Sequence, residues 1–189
     1  MVTKLSSANL KIGLVADTHI GRDHEELYPE VFEALQGVDL ILHAGDIYVT
    51  SVLDRLESIA PVLAARGNGD YGLTLTPRLQ ETHVVDVAGL RIGVVHYLPD
   101  PEIPPHLTLE RLSHSYFGGP VDVIVFGDTH VVQVEERRGM LLVNPGSTTF
   151  PNQLDKQLGT LGFLEIQDGR PHARVISLAT MKEIMATPV

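Results

Sequence analysis

The first third of the chain alternates short apolar runs with segments of helical periodicity. The apolar runs over residues 11–16, 39–43 and 61–65 each end in small or polar residues, which predicts buried strands. Residues 25–35 and 52–59 instead place their apolar side chains three and four positions apart, which predicts amphipathic helices. A strand–helix–strand–helix–strand order at this spacing indicates right-handed crossovers and a parallel sheet.

The remainder of the chain has fewer helices and more closely spaced strands. Residues 82–87 and 90–96 flank Ala88-Gly89 and predict an antiparallel hairpin. Residues 100–105 contain three prolines and predict a loop, which precedes a helix over residues 107–116. Further strands are predicted over residues 121–126, 132–137, 140–143, 160–166 and 173–178. We therefore expect one α/β domain over residues 1–189, with residues 1–10 as a short N-terminal arm.

Length and composition narrow the classes of protein to which this chain can belong. With 189 residues, of which 43% are hydrophobic and 20% charged, the chain is long enough to bury a core and lacks the composition of a disordered protein. Its formal net charge of -10 disfavours a non-specific nucleic-acid surface. The absence of cysteine excludes disulfides, thiolate zinc sites and cysteine nucleophiles. Because no signal segment or membrane-length apolar run is visible, we expect a cytoplasmic protein with no membrane partner.

Polar residues that suit metal ions follow the predicted strands, at the positions where open α/β sheets bind ligands. They are Asp17, His19, Asp46, Asn68, His96, Asp128 and His130. Singly, such residues are commonly turn formers, helix caps or structural histidines, but seven donors at one sheet edge indicate a shared site. Carboxylate, amide and imidazole suit Mn²⁺, Fe²⁺, Zn²⁺ or Mg²⁺, and two such ions about 3.5 Å apart need a bridging carboxylate. The Asp-x-His spacing is explained if both residues face the same way on an extended strand end.

The same positions form sequence blocks that resemble a known family. The blocks are Asp17-Thr18-His19, Gly45-Asp46, Gly67-Asn68-Gly69-Asp70, His96, Gly127-Asp128-Thr129-His130 and Asn144-Pro145-Gly146-Ser147. In this order they resemble the calcineurin-like metallophosphoesterase superfamily. The last block resembles its small bacterial and archaeal phosphodiesterase branch, which is related to the retromer-subunit scaffold of eukaryotes. The resemblance implies an α/β fold, a four-layer αββα sandwich of two mixed β-sheets flanked by helices.

The resemblance also implies which residues bind metal. A first divalent ion would be held by Asp17, His19, Asp46 and His130, and a second by Asn68, His96 and Asp128 together with a bridging Asp46. Asp46, Asn68 and His96 would carry the chemistry, and Asn68 would also contact a substrate phosphate. We expect two divalent ions, with Mn²⁺ favoured and Mg, Fe, Zn or Ni as alternatives.

Two positions depart from the pattern of this family. Asp128 stands where the family has a histidine. Because carboxylate is a harder ligand than imidazole, Asp128 favours Mn²⁺ or Mg²⁺, the alternative being a poorly formed second site. Gly69 stands where the better-known phosphatases carry a histidine that serves as general acid toward the leaving group. Without that acid, phosphodiesters with good leaving groups are favoured over phosphomonoesters.

A few other residues are candidates for substrate contact or support. His43 is a candidate for substrate binding, through a hydrogen bond that orients a ligand, the alternative being a packed strand residue. Arg66 is a second substrate-binding candidate, which could approach a phosphate or pair with Asp70. Tyr97 and His106 flank the proline-rich loop and could also contact substrate.

The sequence thus predicts a metal-dependent phosphodiesterase in which a hydroxide that bridges two ions attacks phosphorus in line. Two alternatives stay open: a catalytically weak or inactive scaffold on the same fold, and a phosphomonoesterase. The expected substrate is a small phosphodiester, with residues 73–80 and 98–106 as the walls that set specificity. Association into a homo-oligomer is left open.

Overall fold

Two β-sheets pack face to face and helices cover their outer faces. The computed structural model describes residues 2–5, 10–21, 26–101, 103, 105–167 and 169–187. The predicted four-layer αββα sandwich is confirmed. Among the described residues, no helix has the length and the apolar character that a membrane crossing requires.

The strands and helices follow the predicted order closely. The strands are β1 Val2–Leu5, β2 Lys11–Val15, β3 Leu40–His43, β4 Val62–Ala65, β5 Leu79–Gln80, β6 His83–Val87, β7 Leu90–Val94, β8 Val123–Val125, β9 Gln133–Arg137, β10 Met140–Asn144, β11 Thr160–Gln167, β12 Arg170–Ser177 and β13 Lys182–Ala186. The helices are α1 Pro29–Ala34, α2 Ser51–Glu57 and α3 Leu109–Phe117, and a 3₁₀ turn spans Asn68–Asp70.

Both sheets are mixed. The first sheet has the order β13-β12-β11-β2-β3-β4-β5, in which β2, β3, β4 and β5 run parallel. The second sheet has the order β1-β6-β7-β8-β10-β9, with β6 and β7 forming the predicted antiparallel hairpin and β7, β8 and β10 running parallel. The carboxyl ends of β2, β3 and β4 therefore lie at one edge of the first sheet, and those of β7 and β8 at one edge of the second.

Apolar side chains fill the spaces between the four layers. Between the sheets, Leu42 of the first sheet belongs to the same cluster as Val125 of the second. Val31 of α1 and Leu53 of α2 belong to the cluster on the outer face of the first sheet, and Leu112 of α3 belongs to that on the second. Because the central strands are covered on both faces, their sequences are almost continuously apolar, which made them visible from the sequence.

The structure differs from the predicted elements mainly near the chain ends. Residues 2–5 of the expected N-terminal arm form β1, which pairs in parallel with β6, while residues 1 and 6–9 lie outside the described part. The helix predicted over residues 25–35 begins only at Pro29, whose missing N–H suits the first helical turn. Residue 25 lies outside the described residues. The edge strand β13 was not predicted, because all five of its residues are exposed and carry no burial pattern.

Candidate metal centre

The seven polar side chains meet at one end of the sandwich. Asp17 and His19 follow β2, Asp46 follows β3, Asn68 opens the 3₁₀ turn after β4, His96 follows β7, and Asp128 and His130 follow β8. The carboxylates of Asp17 and Asp46 are buried, whereas Asn68 is exposed at the mouth of the cluster. The structure therefore brings together every residue that was expected to bind metal.

Asp17, His19 and His130 form a first group of metal donors, whose ligand atoms all lie within 4.8 Å of one another. Nε2 of His130 lies 3.7 Å from Oδ1 of Asp17, and Nε2 of His19 lies 3.2 Å from Oδ2 of Asp46. The contact between His19 and Asp46 lacks hydrogen-bond geometry, so this buried ring nitrogen has no hydrogen-bond partner among the described residues. A bound cation would satisfy a buried nitrogen that has no hydrogen-bond partner.

Asp17, Asp46 and His96 form a second group, again within 4.8 Å of one another. Three oxygens surround Nε2 of His96, namely Oδ1 of Asn68 at 3.0 Å, Oδ1 of Asp46 at 3.4 Å and Oδ1 of Asp128 at 3.5 Å. The two carboxylate oxygens of Asp46 thus face different imidazoles, Oδ2 facing His19 and Oδ1 facing His96. This is the arrangement that a carboxylate between two ions requires.

Two imidazoles of the centre are oriented so that Nε2 can bind a cation. Nδ1 of His96 lies 2.7 Å from the carbonyl oxygen of Ala44, and Nδ1 of His130 lies 2.6 Å from that of Phe150. A carbonyl can only accept, so Nδ1 carries a proton in both rings, and in a neutral ring the lone pair of Nε2 faces the carboxylate oxygens. The lone pair of such a nitrogen and those of the carboxylate oxygens repel one another unless a positive charge lies between them. Donation of the second ring N–H to a backbone carbonyl is also the usual support of metal-binding histidines.

The two central carboxylates have opposite electrostatic environments. Burial raises the pKa of Asp17 well above its ordinary value, and the negative charge of Asp46 raises it further. For Asp46, burial acts in the same direction, but the contact with His19 and the N–H of Gly69 outweigh it, so the pKa of Asp46 is lowered. A divalent cation beside Asp17 would offset this penalty, which makes the residues present a good fit to a bound metal.

Three loops of the site share a backbone conformation that is unusual for residues other than glycine. Each has the form Asp-x-aromatic, and both its aspartate and its ring residue have positive φ. The angles are 50° and 43° for Asp17 and His19, 57° and 71° for Asp46 and Tyr48, and 69° and 60° for Asp128 and His130. The prediction that Asp and His converge along an extended strand end is therefore wrong. They converge because the left-handed backbone turns both side chains toward the centre.

Buried polar groups outside the metal-binding set hold these loops. The fully buried carboxylate of Asp70 accepts the N–H groups of Ile47 and Tyr48 on Oδ1, at 2.9 and 2.8 Å, and that of Gly67 on Oδ2, at 2.8 Å. A Cβ on Gly67 would lie 2.1 Å from Oδ1 of Asp46, so only glycine permits this approach. Asp70 thus joins the loop that carries Asp46 to the loop that carries Asn68.

The Asn-Pro-Gly-Ser block supports other loops of the centre in a similar way. The side-chain amide of Asn144 donates to the carbonyl oxygen of Gly127 at 2.9 Å and to Oγ1 of Thr129 at 3.1 Å. The hydroxyl of Ser147 donates to the carbonyl oxygen of Asp17 at 2.7 Å. The block therefore braces the loops after β2 and β8, where the Asp-x-His residues lie.

Comparison with known families agrees with this geometry. The model of the calcineurin-like phosphoesterase superfamily domain matches residues 10–169. The chain belongs to the calcineurin-like phosphoesterase superfamily. The match spans every residue of the two donor groups and the Asn-Pro-Gly-Ser block.

Individual proteins are also similar to this chain in sequence or in fold. A probable metallophosphoesterase of Methanothermobacter thermautotrophicus is 36% identical over 152 residues, which cover 79% of this chain and 84% of that protein. A phosphodiesterase of Methanocaldococcus jannaschii is 26% identical over 153 residues, which cover 72% of this chain and 83% of that protein. The structure of vacuolar protein sorting 29 from Cryptosporidium parvum has a TM-score of 0.75 at 22% identity and covers 96% of this chain and 98% of that one, which shows a shared fold.

One departure from the superfamily pattern has a visible structural correlate. A Cβ on Gly69 would lie 2.3 Å from Cε2 of Tyr48, so the tyrosine ring fills the space into which a side chain at position 69 would extend. The ring of Tyr48 also lies 4.7 Å from that of His19, and its side chain is partly exposed at the centre. An aromatic ring therefore borders this part of the site in place of an imidazole.

The structure distinguishes between the alternatives that the sequence left open for two supporting residues. His43 is fully buried and both its nitrogens are engaged, Nδ1 accepting the N–H of Gly45 and Nε2 contacting the hydroxyl of Thr18, each at 3.1 Å. Burial lowers the pKa of His43 to about 3. A substrate-binding role for His43 does not fit this placement, and the ring instead braces the loops. Arg66 pairs with Glu81 at 2.5 Å and does not pair with Asp70, whose carboxylate is taken by backbone N–H groups.

Sequence reasoning did not identify Tyr48 and Phe150 as part of the centre. Their rings lie 4.7 and 5.4 Å from that of His19. A signal for Tyr48 was present, because it stands two residues after Asp46 just as His19 stands two residues after Asp17. Phe150 carries no such signal, since its place depends on the fold of the segment after Ser147.

Proposed function

We propose that this protein is a phosphodiesterase that works with two divalent ions. The observation that carries the proposal is the pair of donor groups that share Asp17, one with His19 and His130 and the other with Asp46 and His96. Bound ions at such a pair would polarise the phosphoryl oxygens and lower the pKa of a water at the site. Membership of the superfamily and the name of the archaeal metallophosphoesterase support the hydrolase class.

Residues of the chain itself supply the orientation and the charge. Asp46 would bridge the two ions, because its oxygens face His19 and His96 separately. Asn68 turns Oδ1 toward His96, which leaves its amide N–H groups to donate to a phosphate oxygen at the exposed mouth of the site. Such a donor stabilises the negative charge that grows on the phosphoryl oxygens during in-line attack.

Diesters are favoured over monoesters because no imidazole acid stands at position 69. A poor leaving group needs a proton donor, whereas an activated or aromatic alcohol leaves without one. The ring of Tyr48 occupies this region, because Gly69 has no side chain that would extend into the same space. The Methanocaldococcus relative named as a phosphodiesterase supports the same preference.

Asp128 supports Mn²⁺ as the preferred ion. Its Oδ1 lies 3.5 Å from Nε2 of His96, so it is close enough to complete the second group. A carboxylate there makes the donor set harder, which favours Mn²⁺ or Mg²⁺ over ions that prefer imidazole.

The test is hydrolysis of bis-p-nitrophenyl phosphate beside p-nitrophenyl phosphate. The protein is stripped of metal and then given Mn²⁺, Mg²⁺, Zn²⁺ or Ni²⁺ in turn. We expect diester cleavage to return best with Mn²⁺, and Asp46→Ala to reduce it by at least about 100-fold, more than the loss of an outer contact to a metal ligand. Asp39→Ala is the matched control, since Asp39 is an exposed aspartate at the opposite end of β3.

The outcomes separate the alternatives. A preference for the monoester would keep the metal centre but overturn the argument from Gly69. An equal loss of activity in Asp39→Ala and Asp46→Ala would contradict the place of Asp46 in the centre. No turnover with any metal would refute the enzyme and favour a scaffold on the same fold.

A further inference from the structure

A cavity of about 380 Å³ lies directly beside the second donor group. Asn68, His96 and Asp128 are among its lining residues, so whatever occupies the cavity lies next to the proposed phosphate position. Its volume is within the range of about 300–1,000 Å³ that small-molecule sites occupy. None of the described residues of the two segments expected to wall the site, 73–80 and 98–106, lines this cavity.

Tyrosines are prominent among the residues that line the cavity. The chain has five tyrosines, and three of them, Tyr71, Tyr97 and Tyr116, line this one cavity. Tyr71 and Tyr97 are 71% and 53% exposed, although large aromatic side chains bury much of their surface in most folds. Tyr97 directly follows the proposed metal ligand His96, so its backbone position is fixed by the centre. Exposed rings in a concave site are suited to stacking against a flat ligand.

A guanidinium group adds a positive charge to the same wall. Arg66 lines the cavity, pairs with Glu81, and lies 4.9 Å over the ring of Tyr71. Its Nε is buried and has no hydrogen-bond partner among the described residues. Because this Nε is covered, Arg66 acts on a ligand in the cavity through its positive charge, which lies beside the ring of Tyr71.

We propose that this cavity binds the base of a nucleoside phosphodiester while the phosphate lies at the metal centre. The inference rests on the proposed function and extends it to a substrate class. A flat, partly polar ring suits the tyrosines for stacking, and its acceptor groups suit the positive charge of Arg66. The net charge of -10 argues for a small nucleotide over a long polynucleotide, which would meet a repulsive field.

The test compares a nucleotide with the corresponding sugar phosphate, which lacks the base. Thymidine 5′-monophosphate and 2-deoxyribose 5-phosphate are titrated calorimetrically into the Mn²⁺-loaded protein. We expect the nucleotide to bind at least about 10-fold more tightly, as one stacked base provides. Tyr97→Ala is expected to remove most of this advantage, whereas Tyr97→Phe, which keeps the ring, retains it. Because Tyr97 is exposed, its truncation leaves the core intact, and Tyr71→Ala provides an independent second variant.

The results separate this inference from the proposed function. Equal affinity for the two ligands, or an equal loss of both affinities in Tyr97→Ala, would overturn the base-binding cavity even if bis-p-nitrophenyl phosphate is hydrolysed. A base-dependent affinity that Tyr97→Ala removes would support the cavity even if no ester is hydrolysed. Loss of the preference in Tyr97→Phe as well would show that the hydroxyl matters and would contradict stacking.

Discussion

Replacing Asp70 should destabilise the fold and the metal centre together. The carboxylate of Asp70 is fully buried and accepts three backbone N–H groups, from Ile47, Tyr48 and Gly67, at 2.8 to 2.9 Å. Asp70→Ala leaves these donors without an acceptor, at about 1–2 kcal/mol each, or roughly 3–6 kcal/mol in total. Since small domains unfold with a free energy of about 5–15 kcal/mol, this is a large share of the stability.

The measurement is the free energy of unfolding in urea, followed by circular dichroism. Asp70→Asn keeps one acceptor oxygen, which can serve the two N–H groups now bound to Oδ1, so about 1–2 kcal/mol should be lost. Asp39→Ala is the control, because Asp39 is exposed and accepts a single backbone N–H, from Lys11. If Asp70→Ala costs no more than Asp39→Ala, the three hydrogen bonds do not hold the loops and the argument fails.

Three further predictions concern the chemistry and the pH range. The double variant Gly69→His/Tyr48→Ala places an imidazole at position 69 and removes the ring that fills this space. It should raise the ratio of monoester to diester hydrolysis, and an unchanged ratio would count against position 69 as the determinant. Asp128→His should shift the relative activities from Mn²⁺ toward Zn²⁺ or Ni²⁺, so an unaltered metal order would contradict the role given to this carboxylate. The pKa of His43 is about 3 in the fold against 6.5 in the unfolded chain, so its contribution to stability is complete above pH 6.5 and is lost as the pH falls toward 3. At pH 5 the loss is about 2 kcal/mol, and urea unfolding of His43→Gln should show a correspondingly smaller drop between pH 7 and pH 5.

The buried strands could be predicted because burial dictates their composition. β3 and β10 have every residue buried, and their sequences are accordingly apolar up to the last residue of each, which is His43 in β3 and Asn144 in β10. The edge strands β1 and β13 could not be predicted in the same way. All residues of β13 are exposed, so packing places no demand on its side chains and only the backbone pairing with β12 defines it.

The site could be located from the sequence but its construction could not. Donors such as Asp17 and Asp46 follow apolar strands, and strand ends meet at one edge, so their convergence was predictable. The left-handed backbone at these residues was not, because aspartate adopts many conformations and the sequence marks none of them. The supporting hydrogen bonds were equally hidden: Ser147 and Asp70 bind backbone groups of loops that only the complete fold brings near them.

The left-handed loops make loss of function thermodynamically easy for this fold. Each of the six residues with positive φ in the Asp-x-aromatic loops gives up about 1 kcal/mol of backbone free energy to hold its side chain in place. Glycine would relieve that strain at any of them. Asp128→Gly is the clearest case, since the side chain of Asp128 is partly exposed and its φ is 69°. A substitution at such a position would remove a proposed metal ligand and relieve backbone strain in one step, so the fold can lose this chemistry without a large cost in stability.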